Sequence, residues 1–466
     1  MGEEGRPVPR RIYPLDPRHL TQEEVAVVLA MTSRRPEPFD EIAQQVTAQK
    51  AAEFHEKWVV GYGHASEAEH AILHFAVENI SRLACDALED ARLASYTEKS
   101  SRFQVLPEGY FFVPSELEGQ PALKEAFTEA CASLFQAYHH CLKGLPAFLA
   151  TVRARKEGEK EGAYNLRLRR EALDACRFLL PAATLTSVGL TINARALEHT
   201  LTKLLTWDLQ EVREIGAALK EQGRRVTPTL IKYAEESPYL KARQGAGRTL
   251  AAEWQTPLAN GRPQVRLLHY DPQGEEKVVA SFLYFFAHRP YEEVWEQACS
   301  MRQEERARVL QEAWGRMGAF DAPGREAEAV SYTLEVALDY GAYRELKRHR
   351  MMTLLPQPLT PAHGYVVPSL VTQGGLEGPY REALAGAEKA YGRVASSSPV
   401  VAEYLVAHAH LRRALVHLNL RQCYNVFKLR TGPQAHPTIR QMAEEALRLC
   451  QEVHPSLFAA FQRRTA

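Results

Sequence analysis

Two stretches far apart in the chain carry side chains suited to anion chemistry. Asp90–Phe103 reads DARLASYTEKSSRF, with Glu98, Ser100 and Arg102 spaced two apart. Lys347–Thr360 reads KRHRMMTLLPQPLT and includes the triplet Arg348, His349 and Arg350. In an extended backbone, residues i, i+2 and i+4 point the same way. The first stretch, if extended, aims a carboxylate, a hydroxyl and a guanidinium at one spot. Arg and Ser together suit a phosphate, and Glu suits a sugar hydroxyl or a ring N–H. The second stretch is a basic run after an apolar helix and suits a pyrophosphate-bearing ligand. Taken alone, each also reads as a solvated polar face.

Other candidates lie between them. In GHASEAEHA, His64, Glu69 and His70 invite a metal reading, but a helical zinc pair needs histidines at i and i+4. His64 and His70 are six apart, so no metal is expected. Ser66 as a helix N-cap, with Glu69 completing a capping box, is the better expectation. CRFLLP and TINAR place Arg177, Asn193 and Arg195 near helix starts, as caps or as pocket walls. No glycine-rich phosphate loop, GxSxG elbow or HExxH motif occurs, so hydrolase and P-loop readings have no support.

These residues must be held by a helix-rich scaffold. Apolar residues at helical spacing predict helices over 39–60, 122–155, 167–180, 191–206 and 211–222. AILHFAVENI (71–80) alternates and predicts a strand. GYFFVP and GYVVP read as short strands stopped by proline. Length and composition are those of a soluble protein with more than one domain. Lys+Arg and Asp+Glu are both 57, so no nucleic acid held by overall charge is expected. Seven scattered cysteines without a CxxC pair read as reduced thiols of a cytoplasmic protein. No apolar run follows MGEEGRPVPRR and none approaches a membrane span, so neither signal peptide nor membrane segment is expected.

Three blocks recur in the same order. Leu15–Ile42 resembles the segment from Tyr270, each with Asp-Pro, an apolar run, Arg-Pro and acidic residues. Phe75–Arg92 resembles Tyr332–Arg350, and Thr191–Leu219 resembles His417–Leu447. Kept order predicts a tandem duplication: one repeat over 1–241, a linker over 242–264 and a second repeat over 265–466. Long helices with few strands make each repeat an α+β unit.

The same residues resemble a known family. GHASEAEHAILHFAVENISRLACDALEDARLASYTEKSSRF is similar to the signature region of flavin-dependent thymidylate synthases, whose central motif is R-H-R-x-x-S-x-N-E-x-S-x-R-Y. In that register stand Asp90, Ala91, Arg92, Ser95, Thr97, Glu98, Ser100, Arg102 and Phe103. CRFLLPAATLTSVGLTINAR resembles the family's ARxxLP…TxNxR. LTKLLTWDLQEVR resembles its LR…AQxEIR, with Lys203 at the arginine position and Leu209 at the glutamine position. The second half keeps Arg348, His349 and Arg350, has Thr353 at the first serine position, and retains Asn419, Arg421 and Arg430. It has Pro356, Pro358 and Thr360 where Glu, Ser and Arg belong. It has DAPGREAEA in place of the upstream His and Glu-His block, and no counterpart of Arg177.

The resemblance implies reductive methylation of dUMP to dTMP, with methylenetetrahydrofolate as carbon donor and FAD, reduced by NADPH, as hydride donor. It implies Arg177 at the uracil as the catalytic group. It implies Glu98, Ser100, Arg102, Arg92 and Lys203 on the nucleotide. It implies His64, Glu69, Asn193, Arg195, Arg348, His349, Arg350, Asn419 and Arg421 on the flavin or its phosphates. Family members resemble one another as homotetramers with shared sites, so a homodimer of two-repeat chains forming a pseudo-tetramer is expected. Each repeat lost what the other kept, which leaves about half the usual number of complete sites. The alternative is a non-catalytic or differently acting flavin- or nucleotide-binding paralogue with a regulatory or assembly role.

Overall fold

The computed structural model describes residues 19–32, 35–61, 65–254 and 264–463. It is an α+β protein with two small antiparallel sheets. Strands β1 (Ile72–Ser81), β2 (Ala94–Glu98) and β3 (Leu185–Asn193) form one, in the order β1-β3-β2. Strands β4 (Val265–Tyr270), β5 (Ser331–Asp339), β6 (Thr353–Pro356) and β7 (Leu411–Asn419) form the other, in the order β4-β5-β7-β6. Without β4 the two sheets have the same order, and the same helices follow the same strands. Arg82–Leu88 follows β1 as Tyr340–Lys347 follows β5; Ala194–Leu205 and Gln210–Arg224 follow β3 as Leu420–Arg430 and Pro437–Val453 follow β7.

The likeness reaches individual side chains. β3 buries Thr186, Val188, Leu190 and Ile192, while β7 buries Arg412, Ala414, Val416 and Leu418. This is the period-2 alternation of a strand with one covered face. Asn193 ends β3 and caps the next helix by accepting from the Ala196 amide at 2.8 Å; Asn419 ends β7 and accepts from the Gln422 amide at 2.8 Å. Ser95 pairs with Thr191, and Thr353 with His417, each two residues before the capping asparagine. A His–Thr hydrogen bond crosses both sheets there with its partners exchanged: His74–Thr191 at 2.9 Å and Thr333–His417 at 3.0 Å. Independent helices would not share such a register.

Compactness divides the chain differently from repetition. One unit comprises Met1–Lys99 and Leu185–Gln255, and the other Ser100–Thr184 and Thr256–Ala466. The first carries the β1-β3-β2 sheet and a small core of Val27, Val28, Ile42, Val46 and Ala51. The second carries the four-stranded sheet and the long helices Pro121–Val152, Glu161–Cys176 and Glu377–Ala395. Leu134, Tyr138, Cys141, Leu145 and Leu149 fall on one helical face and pack with Leu173, Cys176, Tyr380 and Leu384. Long helices of both halves therefore share one core.

Several local expectations are corrected. The helix over 39–60 breaks at extended Val46, where Thr47 caps a new helix, Ala48–Phe54, followed by a π-helical turn, His55–Gly61. Ser66 is not an N-cap: it lies inside the 3-10 helix Ala65–His70. The helix over 191–206 begins only at Ala194, because Thr191–Asn193 close β3. GYFFVP and GYVVP make single bridges, Phe111–Thr184 and Tyr365–His410, not strands. Residues 242–252 of the expected linker lie in the exposed helix Pro238–Ala252, and 255–263 lie outside the described residues.

Candidate active site

The second unit gathers a cluster of charge from four elements. Arg102 sits in the turn after β2; Asp174 and Arg177 sit at the end of Glu161–Cys176 and the start of the 3-10 helix Arg177–Leu179. Glu345 and His349 come from the end of Tyr340–Lys347 and the turn beyond it, and Arg430 ends Leu420–Arg430. Arg102 grips Asp174 with both prongs of its guanidinium, Nε to Oδ1 at 2.7 Å and Nη2 to Oδ2 at 2.9 Å. Glu345 is the hub. It lies 3.8 Å from Arg102 Nη1, accepts from Arg177 Nη2 at 3.5 Å and accepts from Arg430 Nη1 at 3.3 Å. Arg430 also donates through Nε to His349 Nε2 at 2.9 Å and through Nη2 to the Glu345 carbonyl at 2.8 Å.

The electrostatics follow from burial. Arg177 is buried, and desolvation pulls its guanidinium below its usual range, opposed by Glu345, Asp174 and Asp339. Arg430 is lowered for the same first reason, with Glu345 opposing. Arg102, more exposed, is raised by its hydrogen bonds to Asp174. Burial, then the charges of Arg430 and Arg348, push the His349 imidazole down to about 3, so it is neutral near pH 7. Because Arg430 Nε can only donate, His349 Nε2 is the acceptor and its proton sits on Nδ1. His436, whose ring lies tilted against Phe178 with centroids 5.4 Å apart, is likewise pushed down to about 3 by burial. Among the described residues, Arg177 Nε and Asp339 Oδ2 find no hydrogen-bond partner although both are buried. An added Cβ at Gly341 would come within 3.1 Å of Asp339 Oδ1 and 3.7 Å of Arg177 Nη2, so glycine leaves room for that pair.

The sequence candidates distribute as follows. Ser100 and Arg102 are in this unit, the Ser100 hydroxyl accepting from the Arg102 amide at 3.2 Å. Glu98 closes β2, which belongs to the other unit. Its carboxylate accepts from Arg82 Nη1 at 2.8 Å and from Thr186 Oγ1 at 3.1 Å, within the other unit. Lys203 is held by Asp90 at 2.9 Å, so the two departures from the family motif neutralise each other. Arg92 is exposed in the bend before β2. Arg348 is exposed at the helix end and Arg350 half-buried beyond it. Asn193 and Asn419 serve as caps. Arg195 pairs with Glu69 at 2.5 Å, and Arg421 with Glu328 at 2.8 Å. Glu69 and Glu328 each stand three residues before the following strand, so the second half does keep that glutamate. His64 lies outside the described residues.

Sequence reasoning does not single out Asp174, Glu345, Arg82 or His436. Asp174 lies three before Arg177, and Glu345 four before His349, spacings that share a helix face. Their acidity disguised them as counter-ions. Element equivalence also shows what the other half carries. Glu403 opens the 3-10 helix Glu403–Leu405 as Arg177 opens its own, each eight residues before the next strand (177 to 185, 403 to 411). Ala87 and Asp90 correspond to Glu345 and Arg348, counted from the caps Ser81 and Asp339. The guanidinium-rich set therefore occurs once per chain among the described residues.

The sequence pattern of the thymidylate synthase complementing protein family matches residues 18–229 and again 266–456. A UPF0159 protein of Chlamydia muridarum is 30% identical over 426 residues, covering 88% of this chain and 80% of that protein. A flavin-dependent thymidylate synthase of Clostridium tetani is 27% identical over 220 residues, covering 46% of this chain and 83% of that protein. A solved UMP/dUMP methylase, PolB of Streptomyces cacaoi, is 16% identical over 42% of this chain and 93% of its own, with a TM-score of 0.33, too slight a likeness to argue from.

Proposed function

This chain belongs to the thymidylate synthase complementing protein family, and from that premise we propose that it is a flavin-dependent enzyme converting dUMP to dTMP at one composite site per chain. One observation carries the reading. Arg102 and Arg177 from the first repeat meet Glu345, His349 and Arg430 from the second in one cluster, so each half supplies what the other lacks.

In this reading Arg102 holds the nucleotide phosphate through charge-assisted hydrogen bonds. Arg177, buried beside Glu345, donates from a terminal guanidinium N–H to a uracil carbonyl and stabilises the charge that develops there on hydride attack. Low surrounding dielectric strengthens that contact. His349 stays neutral, its ring fixed by Arg430, and offers the Nδ1–H as a donor. Glu345 keeps three guanidiniums from repelling one another before substrate arrives.

Among the residues assigned to FAD, Arg348 is exposed and suits a phosphate, and in the other unit Arg195 is half exposed in a surface pair with Glu69 that is worth little. Arg348 would hold a flavin phosphate, whereas Asn193 and Asn419 are committed to their helix caps. When bound and reduced by NADPH, FAD supplies the hydride, and methylenetetrahydrofolate supplies the carbon. The test is dTMP formation by purified protein given dUMP, methylenetetrahydrofolate, FAD and NADPH, and loss of it in Arg177→Ala. Protein that makes no dTMP and takes up no flavin ends this reading. It would then favour the second one, a paralogue without turnover that has a regulatory or assembly role.

A further inference from the structure

We infer that Asp174 is a displaceable internal stand-in for a phosphate monoester, and that it makes the site select dianionic monoesters over nucleosides. This rests on the reading of Arg102 as the phosphate-facing cation. Asp174 occupies the fork of Arg102 in the two-pronged geometry that guanidinium also gives phosphate. A carboxylate has two oxygens, and here both are taken by Arg102. Arg177 Nε is left 4.0 Å from Asp174 Oδ1, buried and without a hydrogen-bond partner among the described residues. A phosphate monoester presents three terminal oxygens. Two replace those of Asp174 on Arg102, and the third reaches the orphaned Arg177 Nε–H. The ligand therefore satisfies a buried donor that Asp174 cannot.

Asp174 is free to leave. Its side chain is 28% exposed, on the last turn of Glu161–Cys176, and can rotate toward water. The charge balance fixes the direction of the exchange. Among the described residues, Asp174 and Glu345 are the carboxylates within 4.0 Å of Arg102, Arg177 and Arg430. Asp339, whose ionised form burial disfavours, acts on Arg177 from further off. A second negative charge on the ligand therefore meets more guanidinium than nearby carboxylate. A dianion gains from that excess, and a monoanion merely equals the carboxylate it displaces. A neutral nucleoside gains nothing from the fork.

The experiment is calorimetric titration of the parent, Asp174→Asn and Asp174→Ala with dUMP, deoxyuridine and inorganic phosphate. Both variants should bind dUMP about tenfold more tightly than the parent, with deoxyuridine affinity unchanged. Adding Arg102→Ala should abolish the gain. A merely structural Asp174 would instead weaken every ligand or none. Unchanged or lower dUMP affinity in both variants, with a parent that binds dUMP, overturns the inference and leaves the proposed function standing. A parent that ignores dUMP counts against the proposed function instead. Inorganic phosphate then decides: binding gained in either variant supports the stand-in, and no gain in both overturns it.

Discussion

At the scale of single residues, the cluster makes Arg102 and Arg177 separable. Arg102 is 27% exposed and Arg177 8% at the side chain, so the first belongs more to binding and the second also to stability. Arg102→Ala should weaken dUMP binding by about 1.5–3 kcal/mol, the worth of a charged hydrogen bond. Thr360→Ala, at the counterpart position, should leave it unchanged; calorimetry on both variants checks this. Arg177→Ala should lower unfolding free energy by less than the roughly 3 kcal/mol of stranding a buried charge, because Arg430 and Arg102 still neutralise Glu345. Urea titration reads that loss. The two buried histidines set a pH dependence. His349 and His436 are held down to about 3, against about 6.5 for an unfolded histidine. Between those values the unfolded chain binds up to two protons more than the folded one, so stability rises with pH and is lost on acidification. His349→Gln should reduce the slope of stability against pH between about 4 and 6 by up to one proton. An unchanged slope would show that His349 titrates normally.

At the scale of elements, the repeats predict matched energetics where they share a device and unmatched where they do not. Asn193 and Asn419 cap equivalent helices at the same 2.8 Å, so each alanine substitution should cost about 1 kcal/mol. Thermal denaturation of both variants tests this, and a large difference would deny the equivalence. Asp90 and Lys203 are 53% and 37% exposed, so their pair is a solvated neutralisation. A double-mutant cycle should return a coupling below about 1 kcal/mol. A larger value would mean that the pair organises the end of Ala194–Leu205.

At the scale of the whole molecule, one full guanidinium set among the described residues predicts the stoichiometry of the proposed nucleotide binding. Glu403 where Arg177 has its counterpart reverses the charge, and Ala87 where Glu345 has its counterpart removes the hub. Titration should find one dUMP per chain. Two equivalent sites per chain would contradict the loss of one half-set from each repeat.

Local signals exposed much of this in the sequence. Alternation over 71–80, the asparagines at helix starts and the Arg-Pro and Asn-x-Arg blocks act over a few residues, so periodicity and motif order reveal the duplication and the α+β class, whereas β3 and β7 are not among the predicted strands. Arg102, Arg177, His349 and Arg430 were visible because their types suit phosphate or their positions match a motif. Their company was not. Asp174 meets Arg102 across 72 residues, and Glu345 meets Arg177 across 168. No spacing rule reaches that far, and an acidic side chain in a basic pocket looks like any solvated charge. Only packing decided that Glu98 turns to Arg82 while Arg102 turns to Asp174. The sharing of one core by long helices of both halves was equally hidden, because an amphipathic face shows that a helix must be covered but not by which partner.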